Sequence, residues 1–586
     1  MRGRINTKSL TNIVLAIIFV VAVYCGVIGW KEYYLGEKLH LSFWSSLYLT
    51  LQLISKSTTE LINNGAYPPR LDVPGSLQIA RFLMPLVILS AVINVILGMT
   101  KKKLDLYAIK YFFHEHYIFC GLNKKTEFLI NDILSNANKG KDLKSGSKIQ
   151  IVIIEINPDH KSISTLKHKN VKVIIGDARD PKLLRQANIG RANYLTTLIN
   201  DDSLNFEIID AIKNLKETLL KNKLKVLCQF GEFDNLSLAK DYQQIESKLI
   251  EYHYIDFYQK AASKIIDEYS PDIFIPIKKE VDPPAKIMIY GLNKFSEKLL
   301  IEAGHIYHFA NFKRTKVTIV DHGIDKKLNM LKFNYPALDE VLDLEAIEPE
   351  RLLDPDNQFG LENLSVCYIT GDNDSTCLME SMKIRQFFYS RLKSLEFPKV
   401  VTILPHHHQI KGFLTNLDTK FSDINIEIKD IYKYLDKKTI IEDKELIDVA
   451  AKQIFDIYPD KENRKFESLS DREKDMNRFP ARHLLVKFRY LDMATDRNYQ
   501  AMLEAVNKTK INISSIGSEI LCRMEHKRWC AEKLLTGFIP GEAVQDKNLK
   551  NILKNSLKYH PLICDYDLLD AKEQAKDLGP FFDISI

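Results

Sequence analysis

One stretch occurs twice in this chain. Tyr117-Ile-Phe-Cys-Gly-Leu-Asn-Lys124 and Ile287-Met-Ile-Tyr-Gly-Leu-Asn-Lys294 each run through a short apolar segment, stop at a glycine, and pass through Leu-Asn-Lys into a helix-patterned segment. A duplication constrains the fold strongly, because both copies must solve the same packing problem. Strand, glycine turn, helix is the opening of a dinucleotide-binding α/β domain. Further anchors recur in the same order. Gln150-Ile-Val-Ile-Ile-Glu155 matches Val317-Thr-Ile-Val-Asp321, a strand ending in an acid. Tyr194 to Ser203 matches Val366 to Ser375, and Lys225-Val-Leu-Cys-Gln-Phe230 matches Lys399-Val-Val-Thr-Ile-Leu404. The offset of roughly 170 residues is the length of one domain. The expected fold is therefore two tandem doubly wound α/β domains, over 116–275 and 284–430.

Such a fold binds its ligand at the glycine turn. The dinucleotide fingerprint asks for glycines at three positions: for the turn, for close approach of the pyrophosphate, and for helix packing. Here those positions read Gly121, Asn123 and Thr126 in the first copy and Gly291, Asn293 and Ser296 in the second. Asparagine tolerates left-handed dihedrals but puts a side chain where phosphate would approach. A hydroxyl at the third position can itself donate to a phosphate at the helix N-terminus. Glu155 and Asp321 stand where a ribose-binding acid is expected, and Asp177, Asp201 and Asp372 follow later strands on the same side. A nucleotide (NAD, ATP or ADP, or a nucleotide-derived second messenger) is the expected cofactor. Hydride transfer needs a substrate domain with a positioned acid or base. None stands out, so the chain is not expected to be an enzyme. His406-His-His408 reads as a solvated loop, and no metal is expected.

The N-terminal 105 residues are of another kind. Leu10 to Trp30 is uncharged and almost wholly apolar, and Phe82 to Thr100 is a second such run. Each approaches the ~20 residues that span a bilayer. Arg2, Arg4 and Lys8 precede the first, and Lys101-Lys-Lys103 follows the second, which puts both ends in the cytoplasm. Leu41 to Ser55 lies between them, too short to cross and too apolar for an ordinary loop, as a re-entrant helix would be. Span, re-entrant helix, span is similar to the two-helix pores of the potassium-channel family, with Ser42-Phe-Trp44 and Leu47-Tyr48 ahead of the filter position. The filter itself departs from that family, because Lys56-Ser-Thr-Thr-Glu60 replaces the Thr-Val-Gly-Tyr-Gly carbonyl ring. Thr58, Thr59 and Glu60 are the residues expected at the mouth, and Asn94 at the lumen or a helix contact.

Composition narrows the partners. A net charge of +6 over 586 residues, with Lys and Glu interspersed, argues against a nucleic-acid binder. Eight scattered cysteines without a Cys-x-x-Cys pair suit a reducing compartment. Residues 431–495 are rich in lysine and acids and read as a charged helical connector to a small, mainly α domain over 496–586.

Two further resemblances carry the functional expectation. His116-Tyr-Ile-Phe-Cys-Gly121, Lys172-Val-Ile-Ile-Gly-Asp-Ala178, Leu183 to Gly190 and Asn200-Asp-Asp-Ser-Leu-Asn205 resemble the RCK (TrkA-N) family, which regulates channels. Near the C-terminus, Glu525-His-Lys-Arg-Trp529, Gly537-Phe538, Gly541, His560-Pro-Leu562, Asp567 and Lys576-Asp577 resemble the RyR domain. Bacterial members of that family are associated with sensing nucleotide-derived small molecules, some in antiviral signalling. The resemblance implies ligand contacts from Glu525, His526, Arg528, Trp529, His560 and Tyr566: a guanidinium fork on phosphate, an aromatic on the base, a histidine on ribose. Together these imply a ligand-gated, ion-channel-like homo-oligomer of the bacterial inner membrane, a tetramer by pore symmetry. A non-conducting membrane-anchored nucleotide sensor and an NAD-dependent oxidoreductase are the alternatives.

Overall fold

The computed structural model describes residues 7–36, 40–53, 73–138, 149–167, 171–215, 219–231, 249–352, 361–392, 397–406, 425–434, 446–457, 464–493, 515–542 and, with short breaks, 544–577. Residues 1–112 form one unit and residues 113–586 another.

In the first unit, helices α1 (Thr7–Leu35) and α3 (Gly75–Phe112) pack on each other, and the short α2 (Phe43–Gln52) packs on α1. Glycines set the closeness. A Cβ on Gly29 would lie 2.4 Å from the Leu77 backbone nitrogen, and one on Gly26 would lie 2.3 Å from Thr50 Cγ2. Small residues at a crossing are how apolar helices approach when dispersion must hold them together. Ser46 and Thr50 return their hydroxyls to carbonyls one turn back, at 2.9 and 2.7 Å, so these buried groups are satisfied within α2. The contact core is small, centred on Ala22, Trp30, Leu53, Leu77 and Met84. Large apolar side chains face outward instead, Trp44 and Phe82 being 74% exposed. Among the described residues one helix, over Ile17–Leu35, is long and apolar enough to cross a membrane, and Gly75–Val87 is a shorter apolar helix. Asn94 is a residue of α3, while Thr58, Thr59 and Glu60 lie outside the described residues.

The second unit contains two six-stranded sheets. The first has strands β1 (His116–Cys120), β2 (Ile151–Glu155), β3 (Lys172–Ile175), β4 (Ala192–Thr197), β5 (Leu224–Gln229) and β6 (Ile250–Ile255), in the order β3-β2-β1-β4-β5-β6. The other has β7 (Lys286–Tyr290), β8 (Lys316–Val320), β9 (Asp343–Ile347), β10 (Leu364–Ile369), β11 (Lys399–Leu404) and β12 (Ile426–Asp430), in the matching order β9-β8-β7-β10-β11-β12. All neighbours are parallel. Registers also correspond: Cys120 faces Ile154 and Thr197, and Tyr290 faces Val320 and Ile369. This is the doubly wound order, with its switch point between the first and fourth strands of each copy. Central strands are buried on both faces, which is why they read as unbroken apolar runs.

Helix α4 (Lys124–Asn138) follows β1, and α5 (Asp202–Lys213) follows β4. Helix α6 (Phe257–Glu268) follows β6 and packs on α7 (Lys294–Ile306), which follows β7. Tyr307 and Tyr368 share a hydroxyl contact at 2.8 Å, and Tyr368 donates to Tyr269 O at 2.8 Å. One apolar core consequently runs through both sheets. After the second sheet come helices α8 (Leu446–Ile457), α9 (Asp471–Tyr490) and α10 (Ser515–Leu535).

The segment expected as a charged connector differs from that expectation. Helix α9 is built into the core, with Ala481, Leu484 and Phe488 buried. Its charges turn inward as pairs. Arg482 binds Asp267 of α6 at 2.9 Å and also Glu302 of α7, while Lys487 meets Glu525 of α10 at 2.6 Å. A charged sequence looks solvated unless its partners, some 40 to 215 positions away in the chain, are known. Buried charges persist only when paired in this way.

Candidate functional site

Three places collect the residues expected to bind. The first is the pair of glycine turns. Gly121 and Gly291 hold φ values of +81° and +92°, the left-handed region that lets each strand turn at once into its helix. In both copies the acid that ends the next strand accepts the N–H just after the glycine. Leu122 N donates to Glu155 Oε2 at 2.6 Å, and Leu292 N to Asp321 Oδ2 at 2.8 Å. Glu155 also accepts from Asn157 N at 2.9 Å, and Asp321 from His322 N at 2.7 Å.

The asparagines cap the following helices. Thr126 N donates to Asn123 Oδ1 at 3.0 Å, and Asn123 Nδ2 donates to Leu198 O at 2.6 Å. Asn293 forms a capping box with Ser296, whose Oγ accepts Asn293 N at 2.7 Å. Backbone donors at both turns, those of Leu122 and Thr126 in the first copy and of Leu292, Asn293, Phe295 and Ser296 in the second, are thus engaged by side chains of the turn, of the helix it opens or of the next strand, where a pyrophosphate would otherwise compete for them. Asp177 is tied to Arg179, at 2.6 Å, which holds its carboxyl below the usual range. Asp201 caps α5 through Ser203 N at 2.9 Å, and Asp372 stands exposed after β10.

The second place is a cavity of about 560 Å³ between the strand ends of the first sheet and α7, lined by Lys125, Asn200, Asp201, Gln229, Lys294 and Lys298 among others. Lys125 is 4% exposed and donates to Asn200 Oδ1 at 2.9 Å and Gln229 Oε1 at 2.8 Å. Burial pulls its pKa down to about 8, against the fields of Asp256 and Asp202. Lys298 pairs with buried Asp256 at 2.9 Å. Sequence reasoning missed Lys125, because the repeat highlights the lysine before it.

The third place is a groove with two chambers on the C-terminal helices. A chamber of about 310 Å³ is lined by Glu525, His526, Arg528, Trp529 and His560, five of the six ligand residues expected there. Tyr566 lies beside the His526 ring at 5.9 Å and lines neither chamber. A second chamber of about 340 Å³ lies towards α7 and α9, and Trp529, Glu532, Lys533 and His560 line both. Half-buried Trp529 meets His560 edge-on at 5.0 Å, with Lys533 Nζ 5.7 Å from its ring.

Arg528 is not free to fork onto phosphate. It is 2% exposed and binds Glu525 at 2.8 Å and Glu532 at 2.7 Å. Burial works against both charges, yet the attraction of Arg528 and Lys487 holds Glu525 well below the usual carboxylate range. His526 touches Asp577 at 3.4 Å and Cys564 O at 2.9 Å. Burial disfavours its charge, but these partners and Cys530 prevail and raise its pKa to about 10, so this ring is cationic at neutral pH.

Among the described residues, His322, Glu348 and Glu350 bring ligand atoms within 4.8 Å of one another. Glu348 also accepts the N–H groups of Gly323 and Ile324 at 3.2 and 3.1 Å. His406 donates its backbone N–H to Asp374 at 2.7 Å, while His407 and His408 lie outside the described residues.

Comparison with curated protein sequences finds no match. Among solved structures, the chain is similar to GsuK bound to ADP, at 12% identity over 74% of this chain and 97% of that one, with a TM-score of 0.35. It is also similar to the GsuK channel bound to NAD, at 10% identity over 73% and 82% of the two chains and a TM-score of 0.34. The human SLO3 gating ring matches at 10% identity over 55% and 81%, with a TM-score of 0.37. The TrkA-N domain family model matches residues 137–227, which run from the end of α4 into β5 of the first sheet. Residues 137–227, within the first of the two parallel-sheet copies, match the TrkA-N domain family.

Proposed function

We propose that the chain is the subunit of a ligand-gated, ion-channel-like membrane protein whose cytosolic part senses a nucleotide-type small molecule. The observation that carries this reading is the two-chambered groove around Trp529, where an aromatic face, lysines and histidines converge on space the size of a small-molecule site. Stacking and charge-assisted hydrogen bonds are what a base and a phosphate need. One wall of this groove, including Trp529, Lys533 and His560, falls in the segment resembling the RyR domain. The self-capped glycine turns favour it over the dinucleotide positions as the sensing site. The ligand class spans NAD, ATP or ADP, and nucleotide-derived second messengers, and the reading is of binding without turnover and without a metal.

The membrane part rests on the outward apolar faces of α1 and α3, which a bilayer or neighbouring subunits would cover. The reading places the protein in the inner membrane as a multi-pass protein with both termini cytoplasmic. It also makes the protein a homo-oligomer, with four subunits as pore symmetry asks, and gives it no nucleic-acid partner. Ligand binding to one arrangement of the cytosolic unit would shift the population of the whole assembly. The missing Thr-Val-Gly-Tyr-Gly filter favours a second reading, a non-conducting membrane-anchored sensor. The test is to purify the full-length protein from membranes, denature it, and identify released small molecules by mass spectrometry. A nucleotide-type compound near one per subunit is expected. Its absence, together with failure of nucleotides to bind, contradicts the reading.

A further inference from the structure

The α7-side chamber holds a buried polar atom with no partner. His305 is 4% exposed, lines this chamber, and its Nδ1 makes no hydrogen bond. Its ring lies on Phe479 at 4.2 Å between centroids, nearly parallel, so its orientation is fixed. A buried imidazole nitrogen without a partner forfeits its hydrogen bond, and a ligand group in the chamber would restore it. Burial lowers the His305 pKa to about 3, against the pull of Glu532, so the ring is neutral and offers a donor or an acceptor, not a charge.

The rest of the chamber is graded from inside to outside. Phe479 lies against His305, and Trp529 and Phe538 add further aromatic faces to the same lining. The exposed cations Arg472 and Lys558 belong to the same lining, and four cationic side chains outnumber the acids Asp475 and Glu532. The geometry points to a nucleoside phosphate bound in this chamber, its base stacked among the aromatics and read by His305, its phosphates towards Arg472 and Lys558. The inference deepens the proposed nucleotide sensing and rests on it. It places the ligand between the second α/β domain and the C-terminal helices, not within the C-terminal segment alone. Ligand would then join α7, α9 and α10 directly. Lys298 and Tyr335 line this chamber as well as the inter-sheet cavity, so occupancy here would reach the first sheet through the Lys298–Asp256 pair.

The test is calorimetric titration of the full-length protein in nanodiscs with ADP, GDP, CDP and UDP, and with the matching nucleosides. Wild type is expected to prefer one base. His305→Leu should weaken that nucleotide by about tenfold or more and flatten the preference among bases, the cost of a lost buried hydrogen bond. His305→Asn, which keeps a polar atom near the Nδ1 position, should retain part of both. Arg472→Gln changes an exposed residue. It should weaken the diphosphate severalfold, leave the nucleoside unchanged, and keep the base preference. If wild type binds a nucleotide, Trp529→Ala abolishes binding, and the His305 and Arg472 variants bind as wild type, the ligand occupies the other chamber and this inference is overturned. If wild type binds none of the four, this inference is overturned, and if it also binds neither NAD nor ATP and releases no nucleotide-type compound on denaturation, the nucleotide-sensor reading fails with it.

Discussion

Arg528 separates a structural strut from a ligand contact, and the structure makes it a strut. Its guanidinium joins Glu525 and Glu532, while Lys487 holds the other Glu525 oxygen at 2.6 Å and Lys533 the other Glu532 oxygen at 2.9 Å. Arg528→Met leaves each carboxylate one lysine, so the cost should fall near the low end for a broken buried pair, about 3 kcal/mol. Lys487→Met should cost a similar amount, since Glu525 keeps Arg528. The double variant strands Glu525, whose nearest remaining partner is His483 at 3.8 Å. Its cost should exceed the sum of the singles by ~1–3 kcal/mol. Adding Glu525→Gln should recover much of that excess, because the unpaired charge is gone.

Hydrogen exchange of α10 in the full-length protein reads the effect locally, where a single global unfolding energy is ill-defined for so many domains. A 3 kcal/mol loss corresponds to roughly 150-fold faster exchange. Wild-type protection of α10 in Arg528→Met, together with weakened ligand binding, would refute the reasoning and put the guanidinium on the ligand.

Other outcomes follow from local geometry. Gly291→Ala should destabilise more than Gly121→Ala: both lose a left-handed glycine, but the new methyl meets Thr370 O at 2.2 Å in one case and the yielding Ile199 side chain at 3.1 Å in the other. Denaturation midpoints of the two variants check the order. In the N-terminal unit, Gly29→Ala should lower thermal stability in detergent more than Gly26→Ala, because Leu77 backbone cannot move aside as the Thr50 side chain can. His116, held neutral by burial with its pKa near 4, and His305 and His308, near 3, all lie below the ordinary 6.5. The folded state thus binds fewer protons, and the stability these groups contribute is full above pH 6.5 and is lost as pH falls through 4 and then 3. For His116 alone this is on the order of 3 kcal/mol. Urea midpoints should drop between pH 7 and pH 4, and a flat profile would contradict the assignment.

The repeat made the two sheets legible because parallel strands buried on both faces leave continuous apolar runs, and a glycine turn leaves a fixed residue. Asn123 and Asn293 were legible as departures from the fingerprint, and the structure supplies their reason: each caps the helix it introduces. The fate of Glu155 and Asp321 was not legible, since a ribose-binding acid and a turn-capping acid occupy the same sequence position. Helix α9 was misread because Arg482 and Lys487 pair with residues remote in the chain. Arg528 was misread for a different reason: its two partners are neighbours on its own helix, but its burial is tertiary. His305 carries no sequence signal, being one polar residue in an otherwise ordinary amphipathic helix.

The central claim is that a ligand held by the cytosolic unit controls conduction through the hairpin. The direct measurement is ion flux from liposomes containing the full-length protein, with and without the nucleotide shown to bind it, for wild type and Trp529→Ala. Ligand-dependent flux in wild type that disappears in Trp529→Ala is the expected result. Inserted, oligomeric protein that binds nucleotide yet shows no change in flux would contradict the claim and leave the non-conducting sensor in its place.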